Sequence, residues 1–115
     1  MERQSKNEKL LQYFKDICRI PRQTGDEEAI SQYLLDFAKA RGLQAERDAH
    51  HNVLIRKPST IPGYKGPTVI VQGHMDIVYE KSADSTHKYE DGIHVVEEDG
   101  YLKSADGTSL GADNG

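Results

Sequence analysis

A histidine and an aspartate two residues apart follow the most apolar stretch of the chain. Residues 68–71 read Thr-Val-Ile-Val, and residues 73–76 read Gly-His-Met-Asp. Because residues i and i+2 of an extended chain point to the same side, His74 and Asp76 can face one site. A carboxylate that bonds one imidazole nitrogen fixes the tautomer and leaves the other nitrogen for a metal ion. The same pattern also suits an ordinary polar strand end, so both interpretations stay open.

A third candidate side chain, Asp113, lies in a loop between Gly111 and Gly115. An aspartate in such a loop usually forms a turn, with its side chain bonded to its own backbone. The alternative is a carboxylate held in an unusual backbone conformation, with both oxygens open to metal ions. Residues 80–115 carry nine acidic and three basic residues, and acidic loops are where hard cations find oxygen ligands. This charge distribution makes a metal site in the last third of the chain worth testing.

Other patterns carry less weight. Residues 107–111 read Gly-Thr-Ser-Leu-Gly, the spacing of a nucleophile elbow, but no convincing hydrophobic strand precedes them. The acidic residues around 97–106 lack the spacing of a calcium loop. We expect His50 and His51 to lie in a solvent-facing loop. His87 and His94 have no carboxylate or histidine at ligand spacing. We expect Cys18 to lie in the core.

Composition excludes several classes of protein. No apolar run approaches the roughly 20 residues that span a bilayer, and the polar N-terminus lacks the apolar region of a signal peptide. A single cysteine excludes an intramolecular disulfide and a cysteine-rich zinc cage. The net charge of −4 argues against nucleic acid as a partner, because phosphates favour basic surfaces. We therefore expect a cytoplasmic protein that binds neither nucleic acid nor a membrane.

The elements that must position these residues begin with two predicted helices. Apolar residues at helical intervals predict the first helix over 7–18, ended by Pro21. Thr24 and Glu27 have the spacing of a capping box and predict the start of a second helix, which Gly42 ends. The predicted buried stripe of this helix consists of Ile30, Tyr33, Leu34, Phe37 and Ala38.

The pattern then changes to that of strands. Alternation predicts a short strand at 43–47, and a short apolar run predicts another at 53–56. The β-branched run at 68–72 suits an interior strand that is buried on both faces. Two apolar runs within 93–103 flank Glu-Glu-Asp-Gly, which predicts a hairpin. Two helices followed by strands indicate an α/β fold with a mixed sheet.

Together, the two motif segments resemble one protein family. Residues 69–78 read Val-Ile-Val-Gln-Gly-His-Met-Asp-Ile-Val, and residues 107–115 read Gly-Thr-Ser-Leu-Gly-Ala-Asp-Asn-Gly. They are similar to the N-terminal part of the co-catalytic zinc peptidases, the family of aminoacylase and glutamate carboxypeptidase. The ending Asp-Asn-Gly favours the aminoacyl-histidine, or carnosine-cleaving, dipeptidase branch. Ile-Pro-Arg at 20–22 also fits, so the resemblance extends over nearly the whole chain.

The resemblance implies a role for three side chains. His74 would ligate one zinc ion, and Asp76 would serve catalysis by orienting His74. Asp113 would bridge two zinc ions, with a cis peptide bond to Asn114. The cofactors would be two Zn²⁺ ions, or other divalent metals such as Co²⁺ or Mn²⁺. They would activate a water molecule for the hydrolysis of dipeptides, with Xaa-His as the expected class.

The resemblance also implies parts that this sequence lacks. Residues 1–115 would be the N-terminal portion of a single catalytic domain. The general-base glutamate, the other ligands and a lid or dimerisation domain would lie beyond it. The complete enzyme would act on small peptides and could be a homodimer, whereas the 115-residue chain alone would be inactive. The alternatives are a tripeptidase or an N-acyl amino acid deacylase of the same family, or a non-catalytic α/β binding domain in which His74 and Asp113 are structural.

Overall fold

The computed structural model describes residues 2–113 of the 115-residue chain. Two helices come first, α1 over Glu2–Cys18 and α2 over Glu28–Ala40. Short strands follow in the order β1 Gln44–Arg47, β2 Val53–Arg56, β3 Val95–Glu98 and β4 Tyr101–Ser104, with a single 3₁₀ turn at Tyr89–Asp91 before β3. No helix in this described part is long and apolar enough to cross a membrane.

The strands form two separate antiparallel hairpins, β1–β2 and β3–β4, rather than the expected mixed sheet. In the second hairpin Val95 lies opposite Ser104, and the turn consists of Asp99 and Gly100. Both turn residues have positive φ, 53° and 80°, which matches the twist of the flanking strands. The predicted hairpin is therefore confirmed. The mixed sheet does not form among the described residues because each hairpin pairs only within itself.

The start of α2 differs from its prediction. The residue before the helix is Glu27, and its side chain makes no capping hydrogen bond. Its carboxylate instead accepts from the backbone N–H of Gly25 at 2.6 Å. Gly25 has φ of 93°, and this tight turn carries Thr24 away from the helix end. The capping box predicted from Thr24 and Glu27 is therefore wrong.

The buried face of α2 is rotated relative to the predicted stripe. Leu35, rather than Leu34, is among its buried residues, together with Ile30, Ser31 and Ala38. The Arg47 guanidinium on β1 donates to the Ser31 hydroxyl at 3.0 Å. This bond links the buried Ser31 of α2 to the β1–β2 hairpin.

A small core forms where the C-terminal half of α1 meets the later segments. Its buried cluster consists of Phe14, Cys18, Ile77 and Ile93, with Val95, Leu102 and Leu110 packed against it. The backbone N–H of Ile93 donates to the Cys18 carbonyl at 2.8 Å. This bond holds the segment that leads into β3 against the end of α1. Helix α1 ends at Cys18 as predicted, although it begins earlier, at Glu2.

Residues 68–72 are neither a strand nor interior, so this prediction is wrong for the described chain. Val69, Ile70 and Val71 are 81%, 84% and 94% exposed. Residues 68–71 line an open groove of about 710 Å³ opposite the β1–β2 hairpin. No described segment forms a backbone ladder with them. The apolar run suits partner strands on both edges, which residues 2–113 do not supply.

Two isolated bridges align the segments that carry the motifs. Gln23 pairs with Ile77 in parallel orientation, and Lys81 pairs with Thr108 in antiparallel orientation. The first bridge places the turn after α1 beside the His-Met-Asp segment. The second places the glycine-rich loop beside the residues that follow this segment. The two motifs, far apart in sequence, are thereby brought to one location.

Candidate functional site

The imidazole of His74 lies between two carboxylates. Its Nδ1 atom is 3.1 Å from Asp76 Oδ1 and 2.9 Å from the Asp76 carbonyl oxygen. Its Nε2 atom is 3.0 Å from Asp113 Oδ2. The His74 and Asp113 side chains are 53% and 73% exposed, so the cluster is open to solvent. The structure thus brings together the three residues that sequence analysis singled out.

This arrangement requires a cation on His74 or next to it. Ionised carboxylates only accept hydrogen bonds, and a neutral imidazole donates from just one nitrogen. With acceptors at both nitrogens, the imidazole meets both when it carries two protons or when a metal ion takes the place of one of them. The hydrogen bond to the Asp76 side chain raises the pKa of His74 above its ordinary value, and the bond to Asp113 raises it further by a smaller amount.

Asp76 is held on its other side by Thr24, whose hydroxyl donates to Asp76 Oδ2 at 2.5 Å. This hydrogen bond, more than the one from His74, lowers the pKa of Asp76. The Asp76 side chain is 27% exposed. Sequence analysis missed this role of Thr24, and its spacing to Glu27 pointed to a helix cap instead.

The parallel bridge explains why Thr24 reaches Asp76. The Ile77 N–H donates to the Arg22 carbonyl at 2.9 Å, and the Thr24 N–H donates to the Ile77 carbonyl at 3.1 Å. Ile77 is buried in the core cluster. Because Ile77 anchors the segment, the neighbouring Asp76 points to the opposite side and meets the Thr24 side chain.

The loop that carries Asp113 is fastened by Ser109. Its hydroxyl donates to the Val78 carbonyl at 2.8 Å and accepts from the Glu80 N–H at 3.2 Å. The Ser109 N–H donates to the Glu80 carbonyl at 2.9 Å. Ser109 therefore serves as a backbone clamp, and its hydroxyl oxygen is engaged by backbone groups on both sides. This bonding gives no support to a nucleophile elbow at 107–111.

The other titratable candidates lie outside this cluster. His87 is buried, with Nδ1 2.7 Å from the Tyr79 hydroxyl and Nε2 2.5 Å from the Gly92 carbonyl oxygen. His94 Nδ1 is 3.0 Å from Asp106 Oδ2, a pair that sequence spacing did not reveal. Cys18 is 1% exposed in the core, as predicted.

The donor atoms of the cluster suit a metal ion only in part. Zinc binds His nitrogen and carboxylate oxygen at about 2.0–2.2 Å, so two tetrahedral ligands lie roughly 3.3 Å apart. The observed 3.0 Å between His74 Nε2 and Asp113 Oδ2 is close to that spacing. Within residues 2–113, however, no group of three or more His, Cys, Asp and Glu side chains lies so that it could hold one metal ion. The described residues fit two ligands of a site that needs further donors. The expected cis peptide bond to Asn114 lies outside the described residues.

Comparison with known proteins gives the cluster a context. No model of a protein family matches the chain. The chain is 39% identical over 106 residues to the cytosol non-specific dipeptidase of Escherichia coli (strain K12), covering 92% of this chain and 22% of the relative. It is also similar to the crystal structure of aminoacylhistidine dipeptidase from Vibrio alginolyticus. That match has a TM-score of 0.82 and 36% identity, and covers 90% of this chain and 21% of that one. The chain spans about a fifth of the length of these relatives.

These similarities confirm the resemblance to dipeptidases that the two motifs predicted. The structural match also confirms the order of two helices followed by strands, here arranged as two hairpins. Neither relative's name says which residues bind a metal ion. The roles of His74, Asp76 and Asp113 therefore remain predictions.

Proposed function

We propose that the complete gene product is a cytoplasmic, metal-dependent dipeptidase that hydrolyses small peptides of the Xaa-His class. The observation that carries this proposal is the placement of His74 between the carboxylates of Asp76 and Asp113. The similarity to a cytosol dipeptidase and to an aminoacylhistidine dipeptidase supports the reaction class, the compartment and the substrate class.

In this proposal each side chain has a distinct task. His74 ligates a metal ion through Nε2, because its Nδ1 atom is bonded to Asp76. Asp76 fixes the imidazole tautomer and raises the basicity of the ligating nitrogen, as carboxylates behind metal-bound histidines do. Asp113 supplies a carboxylate with high exposure, which leaves its oxygens accessible to one or two ions.

When bound, divalent metal ions at such a site lower the pKa of a water molecule and polarise the scissile carbonyl. The contribution of this chain is to hold the ligands at that position. Thr24 restrains Asp76, Asp76 restrains His74, and Ser109 fastens the loop that leads to Asp113. A general base is still required, and we assign it, as the resemblance implies, to a glutamate beyond Gly115.

We assign two Zn²⁺ ions to the complete site, with Co²⁺ or Mn²⁺ as substitutes. Residues 1–115 then form the N-terminal portion of one catalytic domain, and the complete protein can form a homodimer. A catalytic zinc keeps about three protein ligands. Since His74 and Asp113 are the two assigned here, the 115-residue chain alone should hold zinc weakly and hydrolyse no dipeptide.

The test is hydrolysis by the purified complete gene product. We expect cleavage of β-alanyl-histidine and alanyl-histidine, loss of activity after chelation, and recovery with Zn²⁺. Preference for a tripeptide or an N-acetyl amino acid would instead support the tripeptidase or deacylase alternative. Absence of metal-dependent hydrolysis of all these substrates would contradict the proposal and favour a non-catalytic binding domain.

A further inference from the structure

One buried cation contacts both segments that carry the candidate site. Arg22 is only 2% exposed, and charged side chains are rarely buried to that degree. Its Nη1 atom donates to the Met75 carbonyl at 3.2 Å, and its Nη2 atom donates to the Gly111 carbonyl at 3.3 Å. Met75 lies between His74 and Asp76, and Gly111 lies two residues before Asp113. A single side chain therefore spans the two halves of the site.

The guanidinium suits this position because of its geometry. Its donors are fixed in one plane, so two carbonyl groups bound to it are fixed relative to each other. An apolar side chain of similar volume would fill the space without burying a charge, but it would leave both carbonyls without this donor. The advantage of arginine here is therefore that it fixes the directions of the two hydrogen bonds.

The surrounding backbone supports the same junction. The Arg22 carbonyl accepts from the Ile77 N–H at 2.9 Å, so backbone and side chain of Arg22 bind the same segment. Gly111 has φ of 74°, and a Cβ atom there would overlap the Ile77 side chain and lie 3.1 Å from Arg22 Nη2. The glycine thus allows the close approach of the loop to the guanidinium.

From these contacts we propose that Arg22 is a positioning residue, which sets the separation of His74 and Asp113 and thereby tunes metal affinity. The inference rests on the proposed function, since it assumes that both residues ligate metal. Arg22 itself binds backbone carbonyls and acts on the metal through the loop and segment that it joins.

The test measures Co²⁺ affinity and absorption spectrum in the complete gene product. Arg22→Gln should weaken Co²⁺ binding by about 10–100-fold, the range for residues that orient ligands. Arg19→Gln is the matched control, because Arg19 lies three residues upstream, is 67% exposed and pairs with Asp16. Arg22→Lys, which keeps the charge but not the planar fork, should also weaken binding, and it replaces Arg22→Gln if that variant does not fold.

A double-mutant cycle separates positioning from general stabilisation. In an Asp113→Ala background, Arg22→Gln or Arg22→Lys should change Co²⁺ affinity less than about twofold, because the ligand it positions is gone. Equal losses in both backgrounds, or a lowered melting temperature with unchanged affinity, would overturn the positioning role. Equal affinity in Asp113→Ala and the parent would overturn the ligand assignment itself. Loss with Asp113→Ala but not with the Arg22 variants would overturn only the role of Arg22.

Discussion

Thr24 and Asp76 are 52 residues apart in sequence and are joined by a hydrogen bond of 2.5 Å. Thr24 lies in the turn between the two helices, and Asp76 lies beside the imidazole of His74. This contact connects the N-terminal helical part of the chain to the candidate metal site. A change in the Asp76 carboxylate would therefore reach His74, whose Nδ1 atom lies 3.1 Å from Asp76 Oδ1.

Removal of the Thr24 hydroxyl should weaken the site. In Thr24→Val the pKa of Asp76 should rise, because the main hydrogen bond that lowers it is lost. Metal affinity and kcat should fall by about tenfold, and Thr24→Ser should restore both. Isothermal titration with Zn²⁺ and steady-state kinetics measure these effects, with Thr86→Val at an exposed position as control. Parental affinity and rate in Thr24→Val would contradict the role of this bond.

The two aspartates should respond differently to truncation. If Asp113 bridges two cations as proposed, Asp113→Ala should abolish hydrolysis of Xaa-His dipeptides, because the two cations would lose their shared ligand. Asp76→Ala should retain metal better and lose about 10–100-fold in rate. Kinetics combined with metal analysis of the purified variants distinguishes the two outcomes, and Asp84→Ala, at an exposed position, is the control. Near-parental turnover in Asp113→Ala would end the bridging assignment.

The titration of His74 should show its two carboxylate partners. In the metal-free protein its pKa should lie above the ordinary 6.5, and Asp113→Asn should lower it. The stabilisation from protonated His74 is fully present below the ordinary pKa and is lost as pH rises through the raised pKa. Metal affinity should increase over the same rise in pH, since the ligating imidazole must be deprotonated. NMR titration of the His74 ring tests this, with Asp84→Asn as control. An unshifted pKa of His74 would contradict the observed geometry.

Gly111 should tolerate substitution less well than Gly63. Both have positive φ, 74° and 68°, so alanine meets unfavourable backbone conformation at either position. A Cβ atom at Gly111 would also overlap the Ile77 side chain, whereas one at Gly63 has no atom within 4 Å. Gly111→Ala should therefore lower the melting temperature more than Gly63→Ala and should also weaken metal binding. Equal melting temperatures of the two variants would show that the loop does not pack on Ile77 as described.

Local pattern predicted much of the chain. Helical spacing placed the end of α1 at Cys18, alternation placed β1, and short apolar runs placed β2 and the β3–β4 hairpin. Each of these elements is determined by contacts between residues close in sequence. Residue type and spacing also singled out His74, Asp76 and Asp113, which the structure places within hydrogen-bond distance of one another, while their roles stay predictions.

Contacts between distant residues could not be predicted in this way. Thr24 has the spacing of a helix cap, yet its hydroxyl bonds Asp76 because a parallel bridge places the two segments together. The run at 68–72 has the composition of an interior strand, but composition does not show whether partner strands are present. Val71 is 94% exposed, because no segment within residues 2–113 pairs with this run.

The most direct test of the central claim is the location of bound zinc in the complete gene product. Crystals of the zinc-loaded protein should show anomalous scattering near His74 and Asp113. We expect one ion at about 2.0–2.2 Å from His74 Nε2 and from an Asp113 carboxylate oxygen. We expect a second ion that shares Asp113. Zinc bound elsewhere, with His74 and Asp113 still bonded directly to each other, would contradict the account.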